Sequence, residues 1–516
     1  MADLGTACRR GDNAADRVCL AVTNVEEQSS IGTRRMRIAR PGENCWRVEK
    51  SRFSAFLVDG EAYYGALART LPMARERIWI IGWDFNPWIK LAPGSDCPTL
   101  GSFLRNLVEE CSTLDIRILI WALGPLYSGK TLKVFRDHEW ADHPRIFLNF
   151  DSRHPLRASH HQKIVCVDDA VAFVGGIDLT AGRWDSSSHR PNWHRREKPS
   201  GENYAPVHDV QAMVSGAAAG AISEIAATRW RAATGKSVAA GKMEKPLPWP
   251  QRLKPDLFDC DVAIARTRPA GFRWPGRHEA ASLALDALAA ARRHLYIETQ
   301  YLASFKVAEQ LSRCLRKPDG PEILIILTKR SHGIFEQFVM AHNRNRLIRR
   351  LRRADVHNRL RVMYPTTESA DGSRTEILVH SKVIIVDDTF LRIGSSNLNN
   401  RSEGLDTECD IAFEAGNDQQ RAAIVGLRNR LLAEHMQSDA DTVAREISRS
   451  GSMLAAADKL NTRARKLSCL LVNVKSGKTT PLLGTEMFDP PAPYQPLRRV
   501  RRWLRACASR LFGSVQ

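Results

Sequence analysis

The sequence predicts an α/β protein built from two similar halves related by a pseudo-twofold axis, with one active site where they meet. The stretch from Ser159, SHHQKIVCVDDAVAFVGGIDL, returns at His380 as HSKVIIVDDTFLRIGSSNL, so His-x-Lys-x4-Asp followed by a glycine step occurs twice. Two other segments repeat in the same order. ARERIWIIGWDF from Ala74 resembles ARRHLYIETQYL from Ala291, and RILIWA from Arg117 resembles EILIIL from Glu322. The paired segments lie at a nearly constant offset, which marks an internal duplication. Helical patterns such as EAASLALDALAAARRH alternate with short apolar strand runs, so helices cover a sheet in each half.

The elements follow in order. Residues 1–40 lack clear periodicity and are expected to form a poorly ordered arm. The first half is expected over 41–243, with its motif at 159–186. The proline-rich 244–256, around KPLPWPQRLKPD, reads as a linker. The second half is expected over 257–440, with its motif at 378–404, and 441–516 as a C-terminal extension. In LRRVRRWLRACASRLF, Leu497, Val500, Leu504, Cys507 and Leu511 recur at steps of three and four with arginines filling most of the remainder. A basic amphipathic helix over 497–512 is therefore expected, of the kind that lies in a membrane interface, with anionic lipids as its partner.

Composition narrows the class. A hydrophobic content of 43% and 516 residues suit a soluble protein of two or three domains. No uncharged apolar run is long enough for a membrane span. The start, MADLGTACRRGDNAADRVCLAV, has charges where a signal peptide needs an apolar core, so a cytoplasmic protein or one peripheral at a membrane is expected. Export by a specialised, signal-less route stays open. Eleven cysteines without CxxC pairs argue against a disulfide framework and a structural zinc site. A net charge of +19 favours an anionic partner: nucleic acid, acidic membrane or phosphorylated substrate.

Residues two apart in a strand share a face, so His161 and Lys163 point together, as do His380 and Lys382. The motif aspartates Asp168 and Asp387 complete the catalytic pattern, but the odd step puts them on the opposite face or in the following turn, where they would hold a hairpin. Two such hairpins offer two imidazoles and two ammonium groups. That set suits a phosphodiester: one histidine attacks phosphorus, the other protonates the leaving alcohol, and the lysines stabilise the non-bridging oxygens. Neither a metal nor a cofactor is called for. One copy supplies half a site, which is why the pattern occurs twice.

With these residues in view, the sequence resembles the phospholipase D superfamily over roughly residues 45–435. The resemblance implies two α/β/α sandwich halves, His161 as the phosphohistidine nucleophile and His380 as the general acid. The continuation GSSNLNNRSEGLDTE implies that Asn397 helps bind phosphate and that Glu408 holds a histidine ring nitrogen. Asp209 in PVHDVQ matches Glu408 in the first half, and Asp178 stands at the position of Asn397. An ionised acid cannot donate to phosphate, so Asp178 is expected to shape its loop. The GRWD, GWDFNPW and IETQYL stretches resemble those of phospholipases D acting on glycerophospholipids, and make Trp83, Asp84, Trp184, Asp185, Glu298 and Tyr301 candidates for the substrate channel. The implied activity is hydrolysis of the distal phosphodiester of a glycerophospholipid to phosphatidic acid and free headgroup, with possible transfer to an alcohol. The alternatives are a phosphatidyltransferase of the cardiolipin synthase type and a phosphodiesterase acting on nucleic acid. Nucleic acid is the less expected partner, and no obligate protein partner is implied.

Overall fold

The computed structural model describes residues 37–124, 139–239, 247–271, 275–329, 334–482, 484–487 and 489–493. The first half runs β1 (Arg47–Val58), α1 (Asp59–Thr70), β2 (Arg77–Gly82), α2 (Leu100–Glu110), β3 (Asp115–Trp121), β4 (Ile146–Asp151), β5 (Ile164–Val167), β6 (Val171–Gly175), β7 (Val210–Ser215) and α3 (Ala217–Thr234). The second half repeats the plan. It runs β8 (Leu257–Arg268), α4 (Glu279–Ala290), β9 (His294–Thr299), α5 (Phe305–Arg316), β10 (Glu322–Leu327), α6 (Ile334–Ala354), β11 (Leu360–Glu368), β12 (Val383–Val386), β13 (Phe390–Gly394), α7 (Asn400–Gly404), β14 (Glu408–Glu414) and α8 (Asp418–His435).

The sheet order is β4-β3-β2-β5-β6-β7-β1 in the first half. It is β11-β10-β9-β12-β13-β14-β8 in the second, with the same pattern of parallel and antiparallel neighbours. The central parallel strands β2, β3, β9 and β10 are apolar runs because helices cover both their faces. The halves join through β1 and β8, which pair antiparallel with Arg47 opposite Ile264 and Ser54 opposite Leu257. Both strands have twelve residues, and each pairs with its own counterpart from the other half. The pseudo-twofold axis passes through this pair, close to Ser51 and Cys260.

One core lies on the sheet face covered by α3 and α8 and takes residues from both halves; Trp230 of α3 packs on Trp79 of β2 at 5.8 Å. The opposite faces carry separate cores under α1 and α2 in the first half and under α4, α5 and α6 in the second. Each half is thus helices, sheet, helices. Among the described residues no helix is long and apolar enough to cross a membrane.

The two Asp-Asp turns are built alike. Asp168 and Asp169 (φ +52° and +56°) join β5 to β6, and Asp387 and Asp388 (φ +49° and +59°) join β12 to β13. Both central residues have positive φ, the conformation of the tight hairpin turn whose twist matches its strands. The Asp168 carboxylate accepts from the backbone N–H of Arg75, Glu76 and Arg77 at 2.7–2.8 Å. Asp387 accepts from those of Arg292, Arg293 and His294 at 2.9, 2.7 and 3.1 Å. These aspartates therefore leave the catalytic set. Each lies at the far end of its strand, roughly 20 Å of extended chain from the motif histidine, and fastens the hairpin to the start of β2 or β9.

Three boundaries differ from expectation. The compact unit begins at Ile38, inside the expected arm: its N–H donates to Glu414 at 3.0 Å, and Arg40 pairs with Asp286 at 2.8 Å. The later part of the expected linker is pinned to β1, with Trp249 packed on Phe53 and Asp256 accepting from the N–H of Phe56 at 2.7 Å. The extension does not leave the second half at 440. After α9 (Ala440–Ser450) and α10 (Met453–Leu460), β15 (Lys466–Cys469) pairs antiparallel with β11. The basic helix expected at 497–512 lies outside the described residues.

Replacing Asp387 with Ala leaves three backbone donors without their acceptor. It should lower stability by about 2–4 kcal/mol in urea denaturation while sparing activity per folded molecule. Lost activity at unchanged stability would return this residue to the catalytic set.

Candidate active site

The motif residues precede β5 and β12, where the chain leaves the sheet and meets the other half. The contacts there are reciprocal. The N–H of His161 donates to the carbonyl of Thr407 at 2.9 Å, and the N–H of His380 donates to that of His208 at 2.8 Å. The short strands Val207–His208 and Leu378–Val379 pair in parallel, and His160 forms the matching bridge to Thr407.

The orienting acids are exchanged in the same way. His161 Nδ1 lies 3.0 Å from Glu408 Oε2 and 3.1 Å from the carbonyl oxygen of Ser395. A carbonyl can only accept, so Nδ1 carries the proton and Nε2 keeps its lone pair. His380 Nδ1 donates to Asp209 Oδ2 at 2.7 Å. Glu408 opens β14 and Asp209 immediately precedes β7, so each histidine is held by the half to which it does not belong. Two glycines permit the approach. A Cβ on Gly176 would lie 2.2 Å from Asp209 Oδ1, and one on Gly60 would lie 2.5 Å from the carbonyl oxygen of Arg183.

Lys163 pairs with Asp178 Oδ2 at 3.1 Å and donates to the carbonyl of His161 at 3.0 Å. Lys382 donates to the carbonyl of His380 and lies 3.3 Å from its Nδ1. Burial, and then the charges of Lys163 and Lys382, hold the His161 imidazole well below its usual range. Burial, Lys382 and Arg183 do the same for His380. Burial also draws Lys382 down to about 7, against the attraction of Asp209. The same burial pushes Asp209 up to about 6, opposed by Lys382, and Glu408 up to about 8. The Ser395 and Ser402 hydroxyls donate to Glu408 at 2.5 and 2.7 Å and favour its charged form. The result is a buried cationic pocket with two neutral imidazoles, each fixed at one nitrogen.

The other expected residues divide. Asp178 is occupied: besides Lys163 it accepts from the N–H of Trp83 at 2.8 Å, so it shapes the loop and is not placed to bind phosphate. Asn397 is buried, and its side-chain oxygen has no hydrogen-bond partner. Of the channel candidates, Asp84, Asp185 and Glu298 are buried in polar contacts, whereas the mostly buried Trp184 borders a cavity with Trp88, Ala181, His194 and Tyr204. Asp84 accepts from Thr180 at 2.7 Å, Trp184 stacks on Trp193, and Asp185 pairs with Arg196. Trp83, which stacks on Trp121 at 5.6 Å, and Tyr301 keep partial exposure. Arg183, Ser395 and Ser402 escaped the sequence reading. Arg183 could have been found as the second residue of GRWD, beside two positions that were singled out.

Known proteins are similar to this chain. Residues 70–247 match the family model described as phospholipase D, and residues 284–423 match the one described as cardiolipin synthase, PLD-like domain. The chain is 24% identical over 425 residues to phospholipase D A of Dictyostelium discoideum, covering 69% of this chain and 32% of that one. It is 23% identical over 506 residues to phospholipase D1 of Saccharomyces cerevisiae, covering 77% and 29%. With phospholipase D alpha 1 of Carica papaya the figures are 24% over 515 residues, covering 72% and 63%. The chain thus spans about a third of the length of the first two relatives. The crystal structure of phosphatidylserine synthase from Haemophilus influenzae superposes with a TM-score of 0.53 at 12% identity, covering 80% of this chain and 96% of that one, and so shares the fold. Two matching halves, two motifs and one composite site lead to one assignment: the chain belongs to the phospholipase D superfamily.

Proposed function

We propose that this protein is a phospholipase D that hydrolyses glycerophospholipids to phosphatidic acid and a free headgroup. The observation that carries the reading is the pair of motif histidines, each with Nδ1 engaged by a carboxylate from the other half. His161 Nε2 attacks phosphorus, forming a P–N bond as the bond to the headgroup oxygen breaks. The departing oxygen takes a proton from His380. Water then attacks the phosphohistidine, returns a proton to His380 and releases His161. In this reading Lys163, Lys382 and Arg183 supply positive charge to the non-bridging oxygens, and the side-chain amide of Asn397 donates to one of them. A bound phosphodiester brings negative charge, which offsets the lysines and raises the proton affinity of His380. The GRWD and IETQYL stretches support a glycerophospholipid substrate, and the names of the curated relatives agree with it. The protein acts as a peripheral enzyme at an anionic membrane surface, to which the basic segment 497–512 attaches it.

Three outcomes test this. With phosphatidylcholine vesicles and ethanol, the protein should form phosphatidic acid and phosphatidylethanol from one intermediate, the second rising at the expense of the first, and DNA should stay uncut. His161→Asn should abolish both products. DNA cleavage that disappears in that variant, without headgroup release, would favour the nucleic-acid phosphodiesterase.

The pH dependence has a definite sign. Below about 6, Asp209 gains a proton and loses the charge that holds the His380 ring; above about 7, Lys382 loses its charge. Glu408, pushed up to about 8, is protonated through this range and accepts from His161 through its carbonyl oxygen. kcat/KM for a soluble short-chain lipid should therefore be bell-shaped with limbs near these values. The alkaline limb of kcat should lie higher, because bound phosphate stabilises the lysine cation. A profile flat from about pH 5 to about pH 9 would contradict these roles.

Deleting residues 497–516 should weaken sedimentation with anionic vesicles and leave turnover of a soluble short-chain lipid within about twofold. Unchanged vesicle binding would assign the segment another role.

A further inference from the structure

Behind His380 lies a buried network of charge that the reaction described above does not use. His208 immediately precedes Asp209. Its Nδ1 lies 2.7 Å from Glu434 Oε1 and 3.0 Å from Asp59 Oδ1, and its Nε2 lies 3.0 Å from Glu298 Oε2. His189 is enclosed in the same way, with Nε2 3.0 Å from the same Glu434 oxygen and Nδ1 2.9 Å from Asp185 Oδ2. Carboxylates accept, so both rings are held in the doubly protonated form. Burial alone would push these rings down, but the surrounding carboxylates raise His189 to about 9 and hold His208 above its usual range. Further donors satisfy the acids: Tyr296 and His435 reach Glu298 Oε1 at 2.5 and 2.9 Å, and Arg196 reaches Asp185 at 3.0 Å.

This network grips the backbone that holds the acid histidine. The carbonyl of His208 accepts from the N–H of His380, and the side chain of Asp209 accepts from its ring. Asp59, itself at φ +66°, donates its N–H to the Asp209 carbonyl at 2.8 Å and accepts from the Asp209 N–H at 3.3 Å. The residue matching His208 on the His161 side is Thr407, whose hydroxyl meets His160 at 3.1 Å and Arg229 at 3.4 Å. A smaller buried network stands behind His161: Asp151 lies 3.1 Å from His160 and 2.7 Å from Arg229, the two groups that meet the Thr407 hydroxyl.

We propose that the Glu434–His208–Glu298 bridge is the positioning element of the acid histidine, reaching from both ends of the second half to set the His208–Asp209 backbone against His380. The inference rests on the reading of His380 as the acid. None of the three residues touches substrate. Asp59, His189, His208 and Glu434 are also residue types that hold zinc, with outer carboxylates behind both rings as such sites often have. Three of the four facing pairs, however, lie 2.7–3.0 Å apart, whereas ligand atoms around tetrahedral zinc with bonds of about 2.0 Å sit about 3.3 Å apart. The spacing is that of direct hydrogen bonds.

The test compares two soluble short-chain phosphatidyl esters, one releasing choline, which needs a proton, and one releasing p-nitrophenol, which does not. Full-length Glu434→Gln, His189→Asn and, as reference, His380→Asn are assayed after circular dichroism shows that they fold. His380→Asn should slow the choline ester by roughly 10²–10⁴-fold and the nitrophenyl ester far less. Glu434→Gln should slow the choline ester about tenfold or more while leaving the nitrophenyl ester within about twofold. His189→Asn should do the same to a smaller degree, and decides the matter if Glu434→Gln does not fold. Equal slowing of both esters in the network variants, or no slowing, would overturn the positioning role while leaving the acid assignment standing. Equal slowing in His380→Asn would overturn both. One equivalent of divalent metal in the purified wild-type protein, lost in Glu434→Gln, would replace the hydrogen-bonded bridge with a metal site.

Discussion

The carboxylate that holds each motif histidine comes from the opposite half of the chain, and the rest of the architecture is organised around that exchange. An imidazole can attack or protonate at Nε2 only when Nδ1 is committed, and the committing acids begin or precede strands β14 and β7 of the other half. A separated half would keep its histidine and its lysine but lose the acceptor that selects the tautomer. The reciprocal main-chain bonds at Thr407 and His208 and the self-paired β1–β8 junction bring the two exchanged parts within hydrogen-bonding distance.

Placing this chemistry in the interior is costly. Two lysines, two imidazoles and two acids share a site nearly free of solvent, and each charge alone would be strongly disfavoured there. The cost is offset by pairing: Lys163 with Asp178, Glu408 with two serine hydroxyls, Asp209 with His380 and the backbone of Val210. What remains is a pocket biased toward positive charge with its histidines neutral, an environment that suits the anionic phosphodiester of the proposed reaction.

Much of this was legible in the sequence, and the illegible part has a physical cause. The repeated segments fall on β2 and β9, β3 and β10, and the two motif hairpins, because apolar runs bounded by helix ends and Asp-Asp turns are local signals. The odd spacing from His161 to Asp168 points the motif aspartate away from the histidine, and the turn it occupies agrees. The crossing of Glu408 to His161 and of Asp209 to His380 was not readable, since a strand records which acids are available and not which half they face. The GRWD and IETQYL residues illustrate the opposite error. Asp185 and Glu298 carry motif-like sequence because a buried ionic network fixes their identity, and only burial distinguishes that from lining a channel. Likewise β15 joins the second sheet through a tertiary pairing that the extension's composition did not announce.

The β1–β8 pairing has a consequence for how this molecule came to differ from side to side. A strand that pairs with its own counterpart about a twofold axis is the contact of a homodimer, here made within one polypeptide. In a true homodimer every mutation appears twice, so both active-site histidines must stay alike. Once the copies share a chain, each position can drift alone. The inventory of mismatched counterparts, Gly176 with Ser395, Asp178 with Asn397, Asp209 with Glu408 and His208 with Thr407, is what such release leaves behind. Tethering turned a symmetric site into one with two ends, and a reaction that needs an attacking group on one side and a proton on the other benefits from ends that are not the same.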